Sequence, residues 1–492
     1  MRSCLLVAVM AAALGSAQTY NSLWIPDAIA GSSFDLTLRK TTKQVRPGDP
    51  TVTYGYNDAD FWGPTLIMTK GDFVQLNVKN ELTEDTTTHW HGFHIPAEMD
   101  GGPHQTIEAG TVWSPSFEVK NNAGTYWYHP HLHESTAKQL TLGAGGFIII
   151  QDEAEAALAL PRSYGVDDIP IVLTSRRFLT NNQFDTNMTI SPYGDFMLTN
   201  GILNAQVTLP AGQFVRLRLL NAEIERAYNL GFADGRKFYV IANDGGLLNA
   251  PVAVTRAKLY VGERLEILVD LTGDKPGAQL DLQAFNGGFS LGFPGGEPQQ
   301  TGLFGSLLNN KTFNLLHIVV GEAAAGGAVT ALREKLAENT YWTDKDVTNR
   351  RTIRVVDRGP GTPFTFDGNA YDMDRIDQIV ELDAVEAWTI VNNRTFGHSF
   401  HIHDVQFKIV ARSSGVVADY EQGWKDTVSI PNNESVTIIA KFDDFADDKH
   451  PFMYHCHFSN HEDEGMMGQF LVVEKAKSSA ASEAKQAHKS AR

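Results

Sequence analysis

Cysteine is almost missing from this chain: Cys4 and Cys456 are the only two in 492 residues. Cys4 falls within an apolar leader, so the mature protein keeps one thiol and forms no intrachain disulfide. A single thiol in an exported protein is either buried and inert or chemically employed. Basic side chains are also scarce, 41 Lys and Arg against 58 Asp and Glu, for a net charge of −17. That balance excludes nucleic acid as the expected partner, because phosphate binding needs clustered cations. No apolar run approaches the roughly 20 residues of a membrane-spanning helix, so no membrane span is expected. The longest, Cys4 to Leu14, follows Arg2 and precedes Gly15-Ser16-Ala17. This is the three-part pattern of a removable export signal over residues 1–17, and it predicts a periplasmic or secreted protein.

The composition is 42% hydrophobic and 20% charged. A chain of this length and composition fills two or three cores, which excludes a disordered chain, a collagen-like fibre and a coiled coil. One pattern of alternating apolar residues ending in Asn recurs three times: Gly71 to Asn80, Gly212 to Asn221, and, more weakly, Asp383 to Asn392. Period-2 alternation of this length predicts a strand with one face buried. The copies lie 141 and 171 residues apart, far beyond solenoid periods, so each marks a whole domain. Turn signals such as Asp244-Gly245-Gly246 and Asn286-Gly287-Gly288 separate short strand-like runs. The reading is an all-β chain of three tandem β-sandwiches over 18–152, 163–320 and 339–474. Asp152 to Arg162 reads as a linker with some helix, Gly321 to Glu338 as a second linker containing a helical stretch, and 475–492 as a flexible tail. The Gly-rich segment from Gly287 to Gly305 reads as a loop that overhangs a site or as a plain surface insertion.

Ten of the sixteen histidines fall in four tight groups: His89-Trp90-His91, His129-Pro130-His131, His398 to His403, and His455 to His461. On a strand, a His-x-His pair sends two imidazoles to one face, and neutral imidazole suits zinc, copper or iron. Nine residues separate Asn80 from His89, and nine separate Asn392 from His401; the same step from Asn221 reaches Leu230-Gly231-Phe232. The first and third domains therefore carry His-x-His at an equivalent place, and the second carries apolar residues there. Tyr126 to His131 likewise parallels Phe452 to His457. If the first and third domains touch, eight imidazoles face one another, too many for one ion, and a polynuclear site is implied. The second domain is then expected to be a spacer.

Cys456 alternates with His455 and His457, so its sulfur points to the opposite face. His398, Cys456, His461 and Met466 have the types and order of a His2Cys site with a weak axial thioether, the blue-copper arrangement. The first domain has Pro130 and Ser135 where the third has Cys456 and His461. With these four motifs in place, the chain resembles the three-domain multicopper oxidases, the family of laccases, cuprous oxidases and bilirubin oxidases. The resemblance covers nearly the whole mature chain. It implies cupredoxin-like Greek-key domains and four copper ions: a type 1 ion on His398, Cys456, His461 and Met466, a type 2 ion on His89 and His401, and a type 3 pair. One type 3 ion would take His91, His129 and His455, and the other His131, His403 and His457.

The resemblance further implies that electrons pass one at a time from a small reductant to dioxygen, along the single-residue link from Cys456 to His455 and His457. Asp100, in Met99-Asp100-Gly101-Gly102, and Glu462, directly after His461, match acidic positions that supply protons in such enzymes. His94, His104 and His133 stand off the ligand spacing, and Asp443-Asp444 with Asp447-Asp448 reads as a solvated loop. Two donor classes fit: phenols and aromatic amines, as in laccases, or Cu(I), Fe(II) or Mn(II), as in metallo-oxidases. Arg394 and Phe396 precede His398, and the ten Met are scattered, unlike the Met-rich copper-tolerance oxidases, which favours the organic donor. A non-catalytic copper-binding scaffold is a third reading, opposed by the complete ligand set. The protein is expected to be a monomer.

Overall fold

The computed structural model describes residues 19–189, 191–324, 326–357 and 363–475. The leader at 1–17 and all but the first residue of the tail lie outside this range. Strands dominate the regular structure, which contains only three short α-helices among the described residues. Six sheets pair into three sandwiches, each around its own apolar core.

The recurring alternating segments are the strands Phe73–Asn80, Phe214–Asn221 and Ala384–Asn392. Each terminal Asn does the same work. Its amide donates to one carbonyl of the loop ahead and one from a more distant segment: Asn80 to Glu84 and Ile107, Asn221 to Arg226 and Leu259, Asn392 to Phe396 and Ile430. Its Oδ1 accepts the backbone N–H two residues on, from Leu82, Glu223 and Arg394. A buried side chain with two donors and an acceptor satisfies a strand end that backbone alone leaves open.

Alternation predicts one buried face, which holds for Phe73–Asn80. In Phe214–Asn221 both faces are buried, because Arg216 pairs with Glu155 of the linker and Glu266, and Arg218 points into the junction with the first domain. Arg218 donates to Asp168 Oδ1 at 2.7 Å and to Thr125 Oγ1 at 2.9 Å, and Thr125 donates to Glu266 at 2.7 Å. The Asn21–Ser22 strand also leaves the first domain and pairs in parallel with Ala205–Gln206 of the second.

The first linker contains the expected helix, Glu153–Ala156, capped by Asp152 accepting from Glu155 N at 2.7 Å. The helical stretch expected between 321 and 338 is not formed among its described residues. Leu336 is buried against the second domain with Leu332 and Val329 beside it, and Val329 and Asn249 carbonyls accept from Phe214 and Leu336. Backbone bonding to a neighbouring sheet replaces intrahelical bonding, so tertiary contact overrides local propensity.

Candidate metal centre

The four histidine groups sit at matching places in the first and third sandwiches. His89–His91 lies antiparallel to Gly124–His129 with His89 opposite His129. His398–Ile402 lies antiparallel to Phe452–Cys456 with His401 opposite His455. The equivalent strand of the second domain, Tyr228–Phe232, buries Leu230 instead. An approximate two-fold relation thus equates His89 with His401, His91 with His403, His129 with His455 and His131 with His457, and the eight rings meet where the two domains join.

Six of them form two trios. His131, His403 and His455 bring their Nε2 atoms to 3.2, 3.2 and 3.3 Å from one another. His91 Nδ1 lies 3.4 Å from His129 Nε2 and 3.1 Å from His457 Nε2. The opposite nitrogens are mostly engaged with oxygens. His403 Nδ1 meets Asp100 Oδ2 at 2.6 Å, His131 and His455 Nδ1 meet Glu462 at 3.0 and 3.2 Å, and His129 Nδ1 meets the Pro130 carbonyl at 2.8 Å. Donating outward leaves a lone pair on each inward nitrogen. Burial, reinforced by the neighbouring rings, holds His91, His129, His403 and His457 well below the ordinary histidine range. Burial lowers His455 as well, while Glu462 carries His131 up; the lowered imidazoles are neutral acceptors with no mutual donor, and a cation between them satisfies them.

His89 and His401 make a separate pair. Their Nδ1 atoms meet the carbonyls of Asp100 and Asp426 at 2.9 and 2.8 Å, and both Nε2 atoms are buried without a hydrogen-bond partner. These orphaned nitrogens fit a metal ion as well.

The trios correct the sharing implied by the resemblance: His455 and His457 exchange places. Both point to one face of their strand, so period 2 does not distinguish them. The two-fold relation does. It carries His91, His129 and His457 onto His403, His455 and His131, whereas the expected sets do not map onto each other. Each trio takes two rings from one domain and one from the other.

On the far face of the same strand, Cys456 Sγ lies 3.6 Å from His398 Nδ1 and 3.7 Å from His461 Nδ1. Met466 is fully buried in the same apolar cluster as Cys456, and its backbone closes the loop by accepting from Cys456 N at 3.0 Å and donating to the His461 carbonyl at 2.8 Å. Burial pushes the Cys456 thiol up to about 12 and the His461 imidazole down to about 3. A thiol so placed keeps its proton until a metal ion displaces it. Above these ligands lies an aromatic stack. The Phe364 ring is 4.7 Å from His398 and 5.0 Å from His461, and Phe396 stacks on Phe304 at 5.3 Å. Phe304 belongs to the Gly-rich segment, which overlies this site: Gly397 N donates to the Leu291 carbonyl at 3.2 Å. Leu303 of the same segment is exposed.

The two acids singled out in the sequence both touch candidate ligands. Glu462 bridges His131 and His455 and also accepts from Thr136 Oγ1 at 2.8 Å. Burial would raise its carboxyl, but the two imidazoles hold it well below the usual range. Asp100 spans His403 and His89. The off-spacing histidines ligate nothing in this cluster: His94 pairs with Asp404 at 2.8 Å, His104 with Gln469 at 2.8 Å, and His133 packs on Tyr371 at 5.1 Å.

Asp426 and Arg264 went unread in the sequence. Asp426 Oδ1 accepts from His91 Nε2 at 3.1 Å, and Arg264 grips its two oxygens at 2.8 and 2.6 Å. Arg264 comes from the second domain, as does Gly262, where a Cβ would stand 2.8 Å from the His457 ring. The second domain is therefore part of the site's wall and more than a spacer. The available signal was weak: Lys425 and Asp426 directly precede the buried strand Thr427–Ile430, a place where charge requires a partner.

The family description "Multicopper oxidase" matches residues 38–155, 160–278 and 341–476. The multicopper oxidase mco of Staphylococcus aureus is 30% identical over 473 residues, 94% of each chain. The cell division protein FtsP of Escherichia coli (strain K12) is 30% identical over 448 residues, 90% of each chain. Among solved structures, the bacterial laccase-like multi-copper oxidase CueO from the lignin-degrading Ochrobactrum sp. has oxidase activity towards lignin model compounds and lignosulfonate. It superposes with a TM-score of 0.82 at 32% identity, over 92% of this chain and 100% of its own.

Proposed function

This chain belongs to the multicopper oxidase family, copper oxidoreductases that use dioxygen, and we propose that it oxidises phenolic or related aromatic donors in single-electron steps. The proposed ligands are His398, Cys456, His461 and Met466 for one copper ion, His89 and His401 for a second, and the two histidine trios for a third and fourth. Copper, when bound, supplies one-electron redox chemistry at the Cys456 site and the four-electron reduction of dioxygen to water at the histidine cluster. The observation that carries the reading is the complete donor set: ten imidazoles, a thiol and a thioether, all buried.

The chain's own groups have separable tasks. Cys456 is covalently continuous with His455 and His457, so the two sites are linked through one residue. Asp100 and Glu462 hold the outer nitrogens of four imidazoles, which fixes each ring's orientation and leaves its inner nitrogen free. They are also the carboxylates in place to hand protons to the cluster. Over the Cys456 site the cover is apolar, Phe364 and Phe396 with Phe304 stacked on Phe396, a surface that suits an aromatic donor better than a hydrated metal ion. Export by the leader at 1–17 belongs to the same reading.

Oxygen uptake by the copper-loaded protein with a dimethoxyphenol, with and without added Cu(II), tests this. Brisk uptake without extra copper is expected. Uptake that appears only when copper is added would move the assignment to metal-ion oxidation. Full copper content with no uptake for any donor would return it to a copper-binding scaffold.

A further inference from the structure

The two-fold relation that pairs the histidines also pairs two aspartates. The Asp100 carbonyl accepts from His89 Nδ1 and its carboxylate from His403; the Asp426 carbonyl accepts from His401 Nδ1 and its carboxylate from His91. Each aspartate so reaches one ligand of its own domain and one of the other. The symmetry breaks at one atom. Asp100 takes the Nδ1 of His403, leaving Nε2 inward, while Asp426 takes the Nε2 of His91, leaving Nδ1 inward.

It breaks again in what lies behind each carboxylate. Asp100 Oδ1 has no hydrogen-bond partner. Both oxygens of Asp426 are gripped by Arg264, and Oδ1 also accepts from Thr427 Oγ1 at 2.9 Å. Arg264 is itself immobilised by carbonyls of Thr125 at 3.1 Å, Gly262 at 2.9 Å and Asp244 at 3.0 Å. Room for the pair is left by Gly92, directly after His91 at φ 83°, where a Cβ would collide with the Asp426 carboxylate and sit 2.9 Å from Arg264 Nη2. All four groups are buried.

We infer that the Arg264–Asp426 pair is a positioning device that selects the ligating nitrogen of His91, through which the ligand-free second domain sets the geometry of the histidine cluster. A bidentate guanidinium fixes the plane of the carboxylate, the carboxylate fixes the N–H on Nε2, and the lone pair is thereby assigned to Nδ1. The inference rests on the ligand set proposed above.

Asp426→Asn, which keeps the shape, Arg264→Met and the double variant are loaded with copper and compared with wild type. The readouts are copper content against free copper, the electron paramagnetic resonance of the cluster, and the blue absorption of the Cys456 site as an internal check on folding. We expect the blue absorption to persist and cluster affinity to fall about 10- to 100-fold in either single variant. The double variant should be no worse than Asp426→Asn, because arginine acts through the aspartate. Arg264→Lys, retaining charge without the fork, should restore part of the loss. Wild-type affinity and spectra in both single variants, with only the melting temperature lowered, would overturn the inference and leave the pair a structural tie. So would losses that multiply in the double variant. Wild-type protein that takes up no copper at the cluster would overturn the ligand set itself.

Discussion

Asp100 shows what one side chain contributes beyond holding a ring. Its Oδ2 lies 2.6 Å from His403 Nδ1, while Oδ1 is buried and has no hydrogen-bond partner. That Oδ1 lies 3.3 Å from His89 Nδ1 without a hydrogen bond, and a buried carboxylate oxygen so placed beside the histidine cluster is costly for stability and useful for receiving and passing a proton. Asn at this position still offers an oxygen to His403 and cannot carry the proton. We expect Asp100→Asn to slow reoxidation of the reduced enzyme by dioxygen by roughly 100-fold or more, the range of a positioned acid–base group. Reduction of the Cys456 centre by donor should stay at the wild-type rate. Stopped-flow measurement of the two half-reactions separates them, and slowed reduction of the blue centre would count against the assignment. Asp100 was reached through the family resemblance, because Met99-Asp100-Gly101-Gly102 stands shortly after His91 where resembling enzymes carry an acid. Asp426, its spatial counterpart, follows His403 by 23 residues, and loop length hid the equivalence.

Among the elements, the strand ending in Asn ties the sequence repeat to the site. The nine-residue step from Asn to histidine works because the Asn amide closes the loop that leads to the ligand strand. In the third domain Asn392 binds the carbonyls of Phe396 at 2.7 Å and Ile430 at 3.1 Å, directly ahead of His398. Asn392→Ala removes those bonds and leaves buried carbonyls unpaired, which costs on the order of 1–3 kcal/mol for an unsatisfied group. We expect calorimetry to show a lower melting temperature and the blue absorption to broaden, since His398 loses its fixed approach. An unchanged spectrum and melting temperature would mean that water replaces the amide fully. Elements of this kind were readable because period-2 burial and a polar end-cap are local facts. The linker after Gly321 was misread because its Leu and Ala content favours helix, while Leu336 finds its partners on a distant sheet. Burial of Arg216 and Arg218 was missed for the same reason: a strand's second face looks solvated until the neighbouring domain is known.

Across the whole molecule, function depends on domain junctions. The histidine motifs implied a shared polynuclear site on the condition that the first and third domains touch, and parity along a strand assigns faces only. How the six trio rings divide, and the entry of Arg264 from the second domain, are decided by how three sandwiches dock. The junction between the first and third domains has its own charge device at His94. Its side chain is 17% exposed, with Nδ1 on the buried Asp404 at 2.8 Å and Nε2 on Asp444 at 3.3 Å. Burial alone would lower this imidazole, but Asp404, Asp443 and Asp444 carry it up to about 9. Burial pushes the Asp404 carboxyl up to about 6 in spite of His94. Both groups therefore bind protons more tightly in the folded state than in the unfolded chain, and stability falls as pH rises. The His94 contribution is complete below an unfolded value of about 6.5 and is lost as pH climbs through about 9. A shift of this size is worth about 3 kcal/mol at most, and the cost of burying Asp404 offsets part of it, leaving ~1–2 kcal/mol. His94→Gln keeps a donor without the charge. It should melt below wild type at pH 6 and converge on wild type at pH 10. A constant gap between the two proteins across that window would show that shape, and not charge, holds the first domain to the third.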